Sequence, residues 1–176
     1  MKIAITGYKS GVGKAVYDHF SNKMEVIGFD KDNGDITNPE SIVTKVIHEE
    51  VDIFFNNAYD NKYRHAQLDL LYALVEGGYE GHIITTGSNS GDGNKKQVRL
   101  YPVTKHALEK ANDQLFYIGH NVTLLKPGLL NTPRVNTKER YKDRPMMSPT
   151  WVPPVIEFII NAPFRVKDIS FSPKGK

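Results

Sequence analysis

The chain has 176 residues, 39% of them hydrophobic and 24% charged, with a formal net charge of +3. This length supports one well-buried core, so we expect a single domain over residues 1–176; the mild charge argues against nucleic-acid binding, and no apolar run is long enough to span a membrane. The absence of cysteine excludes disulfides and thiolate chemistry and favours a reducing, cytoplasmic compartment.

Short runs typical of strands alternate with helix-length segments along the chain. The predicted strands are Lys2–Thr6, Glu25–Phe29, Ile53–Asn56, His82–Thr86, Val122–Lys126 and Asp168–Ser172. The predicted helices follow Gly11, open at Asn38-Pro39-Glu40, and cover Ala66–Val75, Tyr101–Ile118 and Pro154–Ile160. This alternation predicts an α/β fold, with a doubly wound parallel sheet between two helix layers. The irregular stretch Leu129–Pro149 is expected to be a functional or mobile loop.

A glycine-rich turn joins the first predicted strand to the first predicted helix. It reads Thr6-Gly7-Tyr8-Lys9-Ser10-Gly11-Val12-Gly13. Gly7 permits a tight turn, Gly11 removes a side chain that would block phosphates, and Gly13 lets the helix pack on the sheet. In a Rossmann fold such a turn presents backbone N–H groups to the pyrophosphate of a dinucleotide. Ordinary loops also contain glycine triplets, so this prediction depends on the residues downstream.

Acidic residues follow the second predicted strand. Asp30 closes that strand about twenty residues beyond the glycines, where a carboxylate accepts hydrogen bonds from the adenosine ribose. Its charge also repels a 2′-phosphate, which favours NAD(H), although the nearby cations Lys9 and Lys31 leave NADP(H) open. Asp35 and Ile36 are expected to flank the adenine ring. The alternative for Asp30 is a solvated acid in a turn.

Tyr101 and Lys105 stand four positions apart at the start of a predicted helix, so their side chains share one face. A free phenol ionises near pH 10, and a neighbouring ammonium favours the phenolate. Tyr101 is therefore predicted to be the general acid in carbonyl reduction and the general base in alcohol oxidation. Lys105 is also expected to hold the nicotinamide ribose. The alternative is an exposed pair of common residues that arises by chance.

Two further polar segments stand where predicted strands end. Ser88 follows the strand His82–Thr86, at the edge where ligands gather in open α/β sheets, and is predicted to orient a substrate carbonyl. The segment Asn56-Asn57-Ala58 ends the strand Ile53–Asn56 and is predicted to border the cofactor. Turn formation and strand termination are the alternatives. The six histidines form no helical pair with a third ligand, so no metal site is predicted.

Together these motifs resemble the short-chain dehydrogenase/reductase family over nearly the whole chain. The glycine turn resembles its cofactor turn, Asn56-Asn57-Ala58 its Asn-Asn-Ala motif, and Tyr101-x-x-x-Lys105 its active-site pair. Ser88 with Gly91 resembles its Ser-x-x-Gly pattern, and Pro127-Gly128 its Pro-Gly turn near the nicotinamide.

The resemblance implies an NAD(P)-dependent oxidoreductase that transfers a hydride between nicotinamide and a small alcohol or carbonyl substrate. It implies catalysis by Ser88, Tyr101 and Lys105, and a homo-dimer or homo-tetramer. The cofactor contacts that we predict are Gly7, Tyr8, Lys9, Ser10, Gly11, Val12, Gly13, Asp30, Asp35, Ile36, Asn56, Asn57, Ala58, Tyr101, Lys105, Pro127, Gly128 and Thr132, the last holding the nicotinamide amide.

The chain departs from the family pattern in two places. Tyr59 stands where the family has glycine after Asn-Asn-Ala, and the segment from Ala58 to Ser88 is shorter than the family norm. The family often has an asparagine in the helix before the serine strand that holds a proton-relay water. Asn61 is the only asparagine left in that neighbourhood, and it is predicted to be the fourth catalytic residue.

Two other functions remain open from the sequence. The stretch Asp35-Ile36-Thr37-Asn38-Pro39-Glu40 resembles the dehydrorhamnose reductases, which favours a sugar-nucleotide reductase or epimerase, although the chain is short for their substrate lobe. A non-catalytic module that senses NAD(H) is the other alternative. The intact Ser88, Tyr101 and Lys105 argue against such a sensor.

Overall fold

A computed structural model describes residues 1–89 and 99–174. Strands and helices alternate along these residues. The strands are β1 (Lys2–Thr6), β2 (Glu25–Phe29), β3 (Ile53–Asn56), β4 (His82–Thr86), β5 (Val122–Pro127) and β6 (Asp168–Phe171). The helices are α1 (Gly11–Phe20), α2 (Pro39–His48), α3 (Ala66–Glu76), α4 (Leu100–Tyr117), α5 (Pro133–Asn136) and α6 (Val152–Asn161). No helix in the described part of the chain is both long and apolar enough to cross a membrane.

The six strands form one parallel sheet in the order β2-β1-β3-β4-β5-β6. The chain moves outward from β1 in one direction to β2 and in the other to β3. This reversal between β1 and β3 is a topological switch point, where open α/β sheets form a crevice at the carboxyl ends of their strands. The predicted doubly wound parallel sheet is confirmed.

Both faces of the sheet are buried, as a parallel sheet between two helix layers requires. Ala4 and Phe54 pack with α2, α3 and α4 on one face. Ile3, Ile5 and Phe55 pack with α1 and α6 on the other. Burying each of the large side chains contributes about 1.5–3 kcal/mol, so the central strands hold the crevice in a rigid frame.

The predicted boundaries differ from the structure in two instructive places. Helix α6 begins at Val152, two residues before the predicted start, because prolines are tolerated in a first turn whose N–H groups have no helical partner. The stretch Leu129–Pro149 contains helix α5, a 3-10 turn at Glu139–Tyr141, and a bridge between Leu130 and Met147. This loop is therefore partly regular, and α5 lies beside the crevice.

Candidate active site

A cleft of about 390 Å³ opens at the carboxyl edge of the sheet, around the switch point between β1 and β3. Many of the predicted site residues line it: Gly7, Lys9, Ser10, Gly11, Val12, Asp30, Asp35, Ile36, Asn57, Ala58, Tyr101, Lys105 and Thr132. The turn after β1, the loops after β2 and β3, the start of α4 and the segment before α5 thus converge on one elongated space.

The glycine turn lies along the floor of this cleft. Gly7 has a φ of 71° and Gly11 a φ of 54°, values in the left-handed region that side chains disfavour. A Cβ on Gly13 would overlap the carbonyl oxygen of Gly7, so only glycine lets α1 approach the turn this closely. Ser10 precedes α1 without a side-chain hydrogen bond to its first turn. The N–H groups that begin α1 are therefore not capped by a side chain and lie at a cleft where an anion would be stabilised.

Carboxylates and lysines pair at the end of the cleft formed by the loop after β2. Asp30 is ion-paired with Lys9, and its carboxylate accepts a hydrogen bond from the backbone N–H of Asp32 (2.9 Å). The Lys9 ammonium and these hydrogen bonds lower the pKa of Asp30, against the effect of desolvation. Lys31 is ion-paired with Asp60 at 3.0 Å. Lys9 and Lys31, the two cations that could bind a 2′-phosphate, are thus each ion-paired with a carboxylate.

Tyr101 lies at the opposite end of the cleft, where its phenol is hydrogen-bonded to the hydroxyl of Ser88. Burial raises the pKa of Tyr101, and this rise is partly offset by the Ser88 hydrogen bond and the positive charge of Arg134. The Tyr59 ring stands edge-on to the Tyr101 ring, with centroids 5.2 Å apart. The two predicted catalytic hydroxyls are therefore in contact, and the phenol is protonated at neutral pH.

Lys105 is 4% exposed and lies one helical turn beyond Tyr101. Its Nζ donates to the Oε1 of Gln67 (2.6 Å) and to the backbone carbonyl of Thr86 (2.7 Å). Burial, reinforced by the charge of Arg134, lowers the pKa of Lys105 to about 7. The ammonium is 5.8 Å from the centroid of the Tyr101 ring. The amino group of Lys105 is thus buried and fixed beside the phenol rather than exposed.

Gln67 is a site residue that the sequence reasoning missed. It is 2% exposed on α3, and its Nε2 donates to the carbonyls of Asn56 (2.7 Å) and Thr86 (3.1 Å). Its side chain therefore ties together the ends of β3 and β4 and the Lys105 ammonium. A signal was present, because Gln67 shares the helical spacing of the apolar Leu70, Leu71 and Leu74, and a polar residue on a buried face needs partners.

Several predicted site residues lie outside the lining of the cleft. Asn56 is fully buried and donates from Nδ2 to the Gln67 carbonyl (2.9 Å), while its Oδ1 has no partner among the described residues. Asn61 accepts a hydrogen bond from Arg134 through Oδ1 (2.7 Å). The others outside the lining are Tyr8, Gly13, Ser88, Pro127 and Gly128. Gly91 lies outside the described residues. Direct cofactor contact by these residues, and catalysis by Asn61, stay predictions.

Further residues line the cleft that were not predicted as contacts: Phe29, Lys31, Gly34, Tyr59, Asp60, Thr86, Pro133 and Arg134. Arg134 is prominent among them, because its guanidinium carbon lies 4.3 Å from the centroid of the Tyr59 ring. It comes from the long loop, which carries no periodic pattern that would single it out.

Comparison with known proteins gives a fold but no sequence relative. No family model and no curated protein matches the chain. It is similar to a solved 3-alpha-hydroxysteroid dehydrogenase from Pseudomonas sp. B-0831 complexed with NADH, with 19% identity and a TM-score of 0.76 over 98% of this chain and 95% of that one. The chain therefore has a Rossmann-type fold.

Two other solved structures share this Rossmann-type fold. The 3-ketoacyl-(acyl-carrier-protein) reductase from Brucella melitensis complexed with NADH has 16% identity and a TM-score of 0.77, over 97% of this chain and 96% of that one. The alcohol dehydrogenase from Thermococcus sibiricus complexed with 5-hydroxy-NADP has 16% identity and a TM-score of 0.70, over 97% and 95%. The fold implied by the family resemblance is therefore confirmed.

Proposed function

We propose that this chain is a short-chain dehydrogenase/reductase that uses NAD(P) to interconvert a small alcohol and its carbonyl compound, with Tyr101 as the general acid and base. The observation that carries the proposal is the hydrogen bond between Ser88 and the Tyr101 phenol at one end of a cleft whose floor is the glycine turn. Solved structures of similar fold that contain NADH or 5-hydroxy-NADP support it.

The residues of the cleft fit an extended dinucleotide. The uncapped start of α1 and the turn at Gly7 and Gly11 offer backbone N–H groups to the pyrophosphate. Asp30, with Asp35 and Ile36, would hold the adenosine portion, and Lys105 and Thr132 the nicotinamide portion. When bound, the nicotinamide supplies or accepts the hydride at the reacting carbon.

Tyr101 performs the proton transfer in this proposal. Its raised pKa keeps the phenol protonated at neutral pH, so it can donate its proton to a carbonyl oxygen as that carbon is reduced. In alcohol oxidation the phenolate accepts the hydroxyl proton, and the positive charge of Arg134 stabilises that phenolate. Ser88 holds the reacting oxygen next to the phenol. Carbonyl reduction and alcohol oxidation thus use the same proton donor and acceptor, the Tyr101 hydroxyl.

Lys105 and Gln67 keep this proton carrier in place. An ammonium has three donors, and Lys105 uses two of them on Gln67 and on the Thr86 carbonyl. The third has no partner among residues 1–89 and 99–174, so it is available to a ribose hydroxyl or to the phenolate. Gln67 is a positioning residue, since its contacts are to Lys105 and to backbone carbonyls.

The charges near Asp30 support a preference for NAD(H). The Asp30 carboxylate would meet the ribose hydroxyls, and Lys9 and Lys31 are each engaged by a carboxylate. A 2′-phosphate would have to break these ion pairs and approach Asp30. The homo-oligomeric state and the cytoplasmic location remain predictions from the resemblance and from the composition.

A titration of NADH, followed by a screen of small carbonyl compounds for NADH oxidation, tests the proposal. Binding together with turnover is the expected result. Tight NADH binding without turnover of any aldehyde or ketone would favour the sensor alternative. Failure to bind either NADH or NADPH would overturn the proposed function.

A further inference from the structure

We propose that the substrate of this site carries an anionic group, a carboxylate or a phosphate, and that Arg134 binds it beside the Ser88–Tyr101 pair. This inference rests on the proposed function and adds to it the chemical class of the substrate. Three features of the molecule support it: the position of Arg134 beside Tyr101, the fixed orientation of its guanidinium, and its unneutralised charge.

Arg134 lies at the catalytic end of the cleft. Its guanidinium carbon is 5.7 Å from the centroid of the Tyr101 ring. A substrate group bound to Arg134 would therefore be only a few covalent bonds away from a substrate carbon that reacts beside the Tyr101 phenol. One small substrate can therefore contact both residues, with its reacting oxygen at Tyr101 and a second group at Arg134.

The guanidinium is held in a defined orientation. It stacks near the Tyr59 ring, 4.3 Å from the centroid, and one nitrogen donates to the Oδ1 of Asn61 at 2.7 Å. A guanidinium has five N–H donors in a planar fork, which suits bidentate binding of carboxylate or phosphate. With one nitrogen used by Asn61, the remaining donors are oriented before any ligand arrives, which reduces the entropy lost on binding.

The positive charge of Arg134 is not neutralised within the described part of the chain, where no carboxylate forms an ion pair with it. Its neighbours add to the charge, since Arg134, Arg140 and Arg99 all lower the pKa of Lys138, after the larger effect of burial. The nearby Glu139 is 86% exposed and is ion-paired with Lys142. The Arg134 guanidinium, which lines the cleft, therefore offers a positive charge to an anion bound there.

The cofactor pyrophosphate is the other anion that Arg134 could meet. The structure places the groups suited to that pyrophosphate at Gly7, Gly11 and the start of α1. Thr132, two residues before Arg134, lies beside Gly11, but the Arg134 guanidinium itself contacts Tyr59 and Asn61 and acts electrostatically on Tyr101 and Lys105. Its surroundings are those of the reacting group, which favours a substrate anion.

The test is equilibrium binding of three small probes, malonate, ethyl phosphate and neutral malonamide, to the protein with saturating NADH and without it. We expect at least one of the two anions to bind about tenfold or more tightly than malonamide, a difference that Arg134→Met removes. The preferred anion decides between carboxylate and phosphate. Arg144→Met is the matched control, because it removes the same charge from an exposed position in the same loop outside the cleft lining.

Three results would overturn the inference: malonamide binding as tightly as both anions, Arg134→Met keeping the preference, or Arg134→Met weakening NADH itself about tenfold. The last result would assign Arg134 to the cofactor. NADH binding by the unaltered protein is measured first, because its absence would contradict the proposed function but not this inference. If NADH does not bind, the probe titrations without NADH still test whether Arg134 binds an anion.

Discussion

The Lys105 ammonium donates to the Gln67 side-chain oxygen at 2.6 Å, although the two residues are 38 positions apart and both are almost fully buried. Gln67 in turn donates to backbone carbonyls at the ends of β3 and β4. This contact fixes a cation next to the Tyr101 phenol and connects α3 and α4 beneath the cleft. Gln67 therefore holds Lys105 in position relative to the ends of β3 and β4.

Gln67→Leu should lower both stability and turnover. The change leaves the carbonyl of Asn56 without its Gln67 donor and deprives the Lys105 ammonium of one acceptor, which costs about 1–3 kcal/mol in the free energy of unfolding. Chemical denaturation measures the loss. Gln67→Glu keeps an acceptor for Lys105, and the added carboxylate should raise the pKa of the Lys105 ammonium. The alkaline limb of the pH profile of turnover should therefore move to higher pH. A merely structural Gln67 would leave that limb unmoved in Gln67→Glu.

The buried Lys105 should make stability depend on pH. Its pKa falls from 10.5 in the unfolded chain to about 7 in the folded protein, so between these values the unfolded state binds more protons. The cost of burying Lys105 is therefore relieved as pH rises through this window. We expect the free energy of unfolding to rise with pH relative to Lys105→Met, by up to about 1.4 kcal/mol per pH unit.

Denaturation of the two proteins at pH 7, 8 and 9 measures this difference. The charged and titratable groups that face Lys105 are Arg134, Tyr59 and Tyr101, and the pKa of Tyr101 is raised above its usual value near 10. If the free energy of unfolding of the unaltered protein does not rise with pH relative to that of Lys105→Met, Lys105 is solvated or paired in solution.

Asp30→Ala should weaken the preference for NADH over NADPH. The substitution removes the carboxylate that repels a 2′-phosphate and leaves Lys9 without its closest partner. We expect NADPH to bind about tenfold more tightly than to the unaltered protein, and NADH more weakly, as measured by fluorescence titration. Asp32→Ala is the control, because Asp32 also pairs with Lys9 (3.4 Å) but is 87% exposed and lies outside the cleft lining. Equal changes in the two variants would contradict the role given to Asp30.

The fold was predictable because its signals are local. Each strand is a short run of strand-forming residues, and the motifs stand at strand ends, which parallel pairing brings to one edge of the sheet. The same reasoning placed the glycine turn, Tyr101 and Lys105 on one cleft. Its position after β4 likewise placed Ser88 at the carboxyl edge of the sheet, whereas its contact with Tyr101 was not predicted.

The contacts of Gln67, Asn61 and Arg134 could not be predicted because they join segments far apart in the chain. Asn61 was selected as the asparagine nearest to the expected place, yet its side chain faces Arg134. Arg134 comes from a loop without periodicity, and its orientation depends on Tyr59, where the family has glycine. The buried environment that lowers the pKa of Lys105 likewise depends on tertiary packing rather than on spacing.

Cofactor binding and turnover, measured together in Tyr101→Phe, test proton transfer by the Tyr101 phenol, with Tyr117→Phe at the exposed end of the same helix as the control. Phenylalanine keeps the ring and removes the hydroxyl that meets Ser88. We expect Tyr101→Phe to bind NADH within about twofold of the unaltered protein while its turnover falls by about 10²-fold or more, and Tyr117→Phe to change neither. Unchanged turnover in Tyr101→Phe would contradict this role of the phenol.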